Sequence, residues 1–200
     1  MKDIHPVFNK IISREEKEQF LKQRAKVIWL TGLSGSGKTT LGSALEKELF
    51  KKGYLSQILD GDNIRTGINN NLGFSVEDRV ENIRRIAEVA KIFMNSGLIV
   101  ISCFISPTKQ IRDLAKEIIG KENFIEVFIN APLHVCEDRD VKGLYHKARM
   151  GLISDFTGIN SPFHIPEDPD IEIRTDHSRI DDSLHSLIDF ILPRIKYKSE

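Results

Sequence analysis

The chain has 200 residues, with 29 basic and 29 acidic side chains and a formal net charge of zero. That length suits one domain with a core that needs no disulfide or metal staple. Neutrality excludes the electrostatic footprint of a non-specific nucleic-acid or membrane-surface binder, although a local basic cluster for a small anion is compatible with it. Cys103 and Cys136 have no metal-ligand spacing and read as buried thiols in a reducing compartment. No apolar run approaches the roughly 20 residues that cross a bilayer. Met1 to Lys10 lacks the apolar stretch of a secretory signal. The expectation is a cytoplasmic protein with neither a membrane nor a nucleic-acid partner.

Residues 13–23 read as a charged helix leading into a first strand at 26–31, apolar at consecutive positions as a strand buried on both faces should be. A glycine-rich turn follows, then a helix over about 39–52. A second strand near 55–59 runs into Asp60-Gly61-Asp62, a favoured turn sequence. The longest helical pattern begins at Ser75, where Ser75-Val76-Glu77-Asp78 resembles a capping box with Asp in place of Glu. Val76, Val80, Ile83, Ala87, Ala90 and Met94 form its apolar stripe, and Gly97 is placed to end it.

A third strand is expected at 98–103, and Ser106-Pro107-Thr108 then opens a helix to about 119 that Gly120 closes. A fourth strand follows at 124–129, with Pro132 in the first turn of the next helix. From 141 to 169 glycines and prolines break the pattern, apart from a short helical piece near 144–150. A long irregular segment inside a compact domain is usually functional. A fifth strand at 171–174 and a helix at 180–191 complete the chain. Apolar strands alternating with amphipathic helices predict an α/β protein, a mostly parallel five-stranded sheet flanked by helices.

Gly32-Leu33-Ser34-Gly35-Ser36-Gly37-Lys38-Thr39 matches the pattern G-x-x-x-x-G-K-[S/T] between a buried strand and a helix, the context that gives the pattern meaning. Small residues let successive N–H groups curl around phosphate oxygens, at the positive end of the helix dipole. Lys38 would neutralise the outer phosphates of ATP, and the Thr39 hydroxyl would take a position on Mg2+. A P-loop of this kind does not name an acceptor. The Asp60 to Arg65 stretch should lie on the same sheet edge, where ligands of open α/β sheets bind. Its carboxylates could orient magnesium or take a proton from an acceptor hydroxyl, but a plain turn fits the same residues. Arg65, Arg79, Arg84 and Arg85 gather nearby, Arg79 and Asn82 share a helix face, and Phe74 precedes them. A ring beside guanidinium and amide groups suits a flat base carrying phosphate or sulfate. Glu77, Glu81 and Glu88 are available to pair with some of these arginines, as on an ordinary solvated helix face.

These stretches, with Leu72-Gly73-Phe74-Ser75, Phe104-Ile105-Ser106-Pro107, Lys142-Gly143-Leu144-Tyr145 and Phe156-Thr157-Gly158-Ile159, closely resemble the adenylyl-sulfate kinase (APS kinase) family over about 4–173. The resemblance implies a three-layer P-loop kinase fold, with residues 1–25 as a helical extension, 26–200 as the kinase domain and about 142–168 as an inserted lid. It implies transfer of a phosphoryl group from ATP to the 3′-hydroxyl of adenosine 5′-phosphosulfate (APS), giving PAPS and ADP in sulfate assimilation. Phe74 and Phe156 would sandwich the acceptor adenine, Arg65, Arg79 and Asn82 would hold its phosphosulfate and ribose, and Ile105, Ser106, Lys142 and Leu144 would complete the pocket. Lys38, Asp62 and Ser106 are the expected catalytic set, with Asp62 orienting or deprotonating the 3′-hydroxyl and Ser106 outside any covalent step. The resemblance and the charged amino-terminal helix together suggest a homodimer. Thr66, Cys103 and Asp155 depart from the commonest family pattern, which favours histidine, serine and glycine there. Asp155 would place a carboxylate beside the proposed lid, weakening acceptor binding by repulsion unless Lys147 or Arg149 pairs with it. Residue patterns alone leave open another small-molecule P-loop kinase, acting on a nucleoside monophosphate or sugar acid, or a non-catalytic nucleotide-binding module.

Overall fold

Five consecutive buried residues make β1 (Val27–Thr31) the centre of the sheet. Ile28 and Leu30 point into one apolar layer and Val27 and Trp29 into the other, the period-2 alternation of a strand covered on both faces. In this computed structural model, which describes His5, Val7 and residues 10–198, β1 pairs with β3 (Ile99–Cys103) on one side and β4 (Phe124–Asn130) on the other. β2 (Ser56–Asp60) and β5 (Ile171–Arg174) lie outermost, giving the order β2-β3-β1-β4-β5. Every pairing is parallel, so the expected mostly parallel sheet is parallel throughout.

Helices cover both faces. α2 (Lys38–Lys51) and α8 (Ile180–Ile195) bury Leu41, Leu45, Leu49, Leu187 and Ile191 against one face. α4 (Val76–Asn95) and α5 (Lys109–Ile119) bury Ile83, Ile86, Ala90, Ile111 and Ile119 against the other, where Trp29 stacks between Phe104 and Phe124. Losing a fully buried indole from such a layer costs about 3–5 kcal/mol. α1 (Arg14–Leu21) sits at the amino-terminal ends of the strands. Arg14 donates to the Ala25 carbonyl and to Asn123, while the Gln23 amide bonds Leu55 and Gly97. α1 therefore lies at the sheet edge opposite the glycine-rich turn. Most of the 1–10 stretch falls outside the described residues.

Local differences from the sequence reading have physical causes. The Asp60 to Arg65 stretch is not a plain turn but a short helix, α3 (Gly61–Arg65), because the Asp60 carboxylate caps the Asp62 N–H at 3.1 Å. Ser75 caps α4 as expected, but Asp78 is too short for a reciprocal box and instead accepts from the Gly73 N–H at 2.9 Å. Val76, in the first turn of α4, is exposed rather than part of the apolar stripe, and Ile86 takes a buried place the stripe lacked. Pro132 is the N-cap of α6 (Leu133–Arg139), one residue ahead of the helix. α8 continues through Pro193 to Ile195, because Ile195 buries a fully enclosed side chain in the core. The irregular stretch after α6 contains α7 (Leu144–Arg149), close to the expected piece.

Candidate active site

At the carboxyl end of β1 the chain turns sharply through Gly32, where a Cβ would collide with the Ile129 carbonyl oxygen. The five carbonyls that follow each accept from a side chain. Lys38 Nζ donates to Gly32 at 3.0 Å and Leu33 at 2.7 Å. The Tyr145 hydroxyl donates to Ser34 at 2.9 Å, Arg139 to Gly35 at 3.2 Å, and the Thr175 hydroxyl to Ser36 at 2.8 Å. With these carbonyls engaged by side chains, the N–H groups of the loop and of the start of α2 suit an anion. Burial draws the Lys38 ammonium down to about 8, with Asp60 partly opposing that pull.

A cavity of about 630 Å³ opens over this loop. Thr39 Oγ1 donates to Asp60 Oδ2 at 2.7 Å, so one carboxylate both caps α3 and faces the phosphate loop. Asp62, on α3, pairs with Lys142 across the cavity. The Arg65 guanidinium lies 4.4 Å from the centroid of the Phe74 ring and donates to the carbonyls of Leu72 and Gly73. Arg79 donates to the Phe74 carbonyl at 2.9 Å and to Thr157 Oγ1 at 2.8 Å, joining α4 to the segment beyond α7. Buried Asn82 accepts from Asn69 at 2.9 Å. Burial lowers the pKa of both Arg65 and Arg79, the response of cations partly withdrawn from water.

Ser106 is almost fully buried in a left-handed conformation at φ 38°. Its hydroxyl accepts from Trp29 Nε1 at 3.0 Å and donates to Thr31 at 2.9 Å, and Arg112 holds its carbonyl at 3.1 Å. Arg112 in turn contacts Glu126 at 2.9 Å, an ion pair buried beneath the turn. Burial lowers the arginine's pKa and raises the carboxyl's.

Of the residues expected from sequence, Ser34, Gly35, Gly37, Lys38, Thr39, Asp62, Arg65, Phe74, Arg79, Asn82, Ile105, Ser106, Lys142, Leu144 and Phe156 all line the cavity. Gly32, Leu33 and Ser36 do not; Leu33 faces a separate apolar cleft of about 600 Å³. The arginine cluster divides. Arg84 and Arg85 both bond Glu81, holding its carboxyl down at about 2, and neither lines the cavity. The Asp155 carboxylate also stays out of the lining; its carbonyl accepts from Arg79, while Arg149 pairs with Glu137 rather than with Asp155. Thr66 merely closes α3, with its hydroxyl on the Asn63 carbonyl at 2.7 Å.

The site also contains residues that sequence spacing did not single out. Arg139, Thr175, Ser178, Ile180 and Ser183 also line the cavity, as do Tyr145 and Thr157. Arg139 and Thr175 come from separate parts of the chain without a shared motif, and only Tyr145 and Thr157 stood inside recognisable runs.

A parallel sheet with a glycine-rich phosphate loop after its central strand, and a wall of acidic and basic side chains on the same edge, defines a P-loop kinase. The comparisons narrow the class. The chain belongs to the adenylylsulphate kinase family, whose model matches residues 24–174. It is 56% identical over 195 residues to an adenylyl-sulfate kinase of Bacteroides thetaiotaomicron, covering 98% of this chain and 97% of that protein. The Mycobacterium tuberculosis APS kinase CysC, solved in complex with AMPPNP and APS, is 45% identical with a TM-score of 0.81, over 84% of this chain and 98% of that one. A gluconokinase from Sinorhizobium meliloti shares the fold at 17% identity and a TM-score of 0.54, over 85% of this chain and 93% of that one.

Proposed function

We propose that this chain moves the γ-phosphoryl group of ATP to the 3′-hydroxyl of adenosine 5′-phosphosulfate, releasing ADP and PAPS. The observation that carries the reading is one cavity in which the phosphate loop, a carboxylate on α3 and the Arg65–Phe74–Arg79 group all meet. P-loop kinases work by placing reactants in line and stabilising spread negative charge. Lys38 binds the donor's outer phosphates, and Lys142, released from Asp62, adds a second cation beside the transferring group. Asp62 then orients the acceptor hydroxyl and takes its proton. Arg65, Arg79 and Asn82 hold the phosphosulfate and ribose, while the base stacks against Phe74 and Phe156. The end of the cavity near Arg139, Thr175 and Ser183 is left for the donor nucleoside.

The oxygens of Thr39 and Asp60, 2.7 Å apart at the loop, are hard donors that suit Mg2+, an ion usually held by few protein ligands plus phosphates and water. When bound there, magnesium would neutralise charge on the donor phosphates. Ser106 positions the acceptor wall without a covalent step, since its hydroxyl already lies between Trp29 and Thr31. The 142–168 segment serves as a lid that excludes water from the transfer. We read the protein as a cytosolic homodimer; among the described residues no helix is long and apolar enough to cross a membrane.

ADP release measured by a coupled assay with ATP and magnesium tests the reading. APS should support turnover and AMP or gluconate should not, while Lys38→Ala should lower kcat/KM by at least about 100-fold. Turnover of gluconate or AMP with none of APS would overturn the acceptor assignment. Equal inactivity of wild type and Lys38→Ala would favour a non-catalytic module.

A further inference from the structure

Tyr145 ends the Lys-Gly-Leu-Tyr run, and its side chain is buried in the wall of the cavity. Its hydroxyl donates to the Ser34 carbonyl at 2.9 Å, a residue 111 positions earlier in the phosphate loop. Its ring meets Phe156 edge-on, with centroids 4.9 Å apart and planes at 80°. A small apolar cluster encloses this bridge: Cys136 and Leu133 from α6, Leu33 from the loop, and Ile159 beyond Phe156. The helix that carries it is also restrained. Both oxygens of the Asp140 carboxylate accept backbone N–H groups, from Tyr145 and His146, at 3.0 Å each. Burial raises the phenol pKa well above its ordinary value, so the hydroxyl remains a donor at neutral and moderately alkaline pH.

We propose that Tyr145 is a positioning residue that couples the donor and acceptor sites. Its hydroxyl holds Ser34 in the conformation that presents the loop's N–H groups to the donor phosphates. Its ring bears on Phe156, so that a base stacked on Phe156 limits the motion of Tyr145. An acceptor that settles against Phe156 thereby stiffens the donor loop, and the donor returns the same free energy to the acceptor, since coupling between two bound ligands is reciprocal. The inference rests on the reading of Phe156 as an acceptor contact.

Tyr145→Phe removes the hydroxyl and keeps the edge-to-face pair, which separates the two functions of the side chain. Titration calorimetry would measure ADP with magnesium, alone and at saturating APS, together with APS alone. Using ADP avoids turnover. In the wild type, APS should tighten ADP binding. In Tyr145→Phe, ADP alone should bind about three- to tenfold more weakly, the loss of one hydrogen bond to a loop carbonyl. APS alone should bind as in the wild type, and the factor by which APS tightens ADP should fall towards one. A purely structural defect would instead weaken both ligands together and leave their coupling in place.

A wild-type coupling factor of one overturns the proposal whatever the variant does, as does a Tyr145→Phe protein with unchanged ADP affinity and coupling. Equal weakening of both ligands overturns it too. If Tyr145→Phe does not fold, the wild-type coupling factor still decides, measured with Phe156→Leu as the second variant. That change leaves the Ser34 bond and should preserve ADP affinity at zero APS, while APS raised to its own saturation should no longer tighten ADP. Retained tightening there is the overturning result. Failure of APS to bind the wild type would instead count against the acceptor assignment, a result distinct from any outcome with ADP alone.

Discussion

Lys38 shows how much of the site's chemistry lies in one buried amine. Its ammonium folds back on the carbonyls of Gly32 and Leu33, and desolvation draws its pKa to about 8. Donor phosphates favour the charged form, so binding must raise that pKa. At about pH 8.5 the free site therefore holds less than a full proton at Lys38, and nucleotide binding should take one up. Calorimetry of ADP in buffers of differing ionisation enthalpy should read a net uptake of up to about three-quarters of a proton at that pH. The uptake should shrink as the pH falls well below 8, where Lys38 is already charged, and should vanish in Lys38→Met. Proton release at about pH 8.5, or uptake that survives Lys38→Met, would refute this account. The motif singles out Lys38, yet the sequence could not give its proton occupancy, which comes from burial. Asp155 illustrates the same limit. Its φ of 57° is a left-handed conformation that suits glycine, and its carbonyl rather than its carboxylate meets Arg79.

At the scale of elements, legibility followed local pattern. β1, β3 and β4 were readable because both faces are covered, so their residues are mostly apolar, interrupted only by Thr31, Ser102, Glu126 and Asn130. α3 was not, because its formation depends on a single Asp60 cap that also reads as a turn signal. The fit of α2 against β3 was beyond the sequence altogether. Gly42 faces Cys103, and a Cβ there would come within 2.5 Å of Sγ and 3.4 Å of Ile101 and Ile58. The glycine thus lets the helix that carries Lys38 and Thr39 lie close to the sheet. Gly42→Ala should gain helix propensity of about 1 kcal/mol yet lose about 1–3 kcal/mol through overpacking, for a net destabilisation of up to about 2 kcal/mol. Urea denaturation should show this, and adding Cys103→Ala should recover most of the loss. A stabilised Gly42→Ala protein would mean that α2 can move outward freely. Burial raises the Cys103 thiol to about 12, so its role here is packing rather than reactivity.

At the scale of the whole molecule, the sheet brings together residues that no local motif connects. The phosphate loop, α3, Arg79 and the 142–168 segment are far apart in sequence and meet because all lie at the carboxyl edge of parallel strands. The motif runs predicted that meeting, whereas Arg139 and Thr175 escaped notice because their contacts with the loop span 104 and 139 positions. The segment after α6 was legible as irregular but not as a wall, since its order depends on cross-chain bonds such as Arg79 to Thr157 and Lys142 to Asp62. These are few and exposed at one end, which makes the segment a candidate for local opening. Lys142, Lys147 and Arg149 are exposed trypsin sites within it. If the segment closes over both substrates, ADP and APS together should slow cleavage there by about tenfold or more, because ligands that bind the closed form suppress the opened one. ADP alone should protect less if, as proposed, Phe74 and Phe156 bind the acceptor rather than the donor. Phe156→Ala should lose the protection added by APS while keeping a thermal shift with ADP, separating closure of the segment from stabilisation of the domain. Cleavage rates that ignore both ligands, at concentrations where calorimetry shows them bound, would mean that the segment is a fixed wall and the cavity fills through another opening.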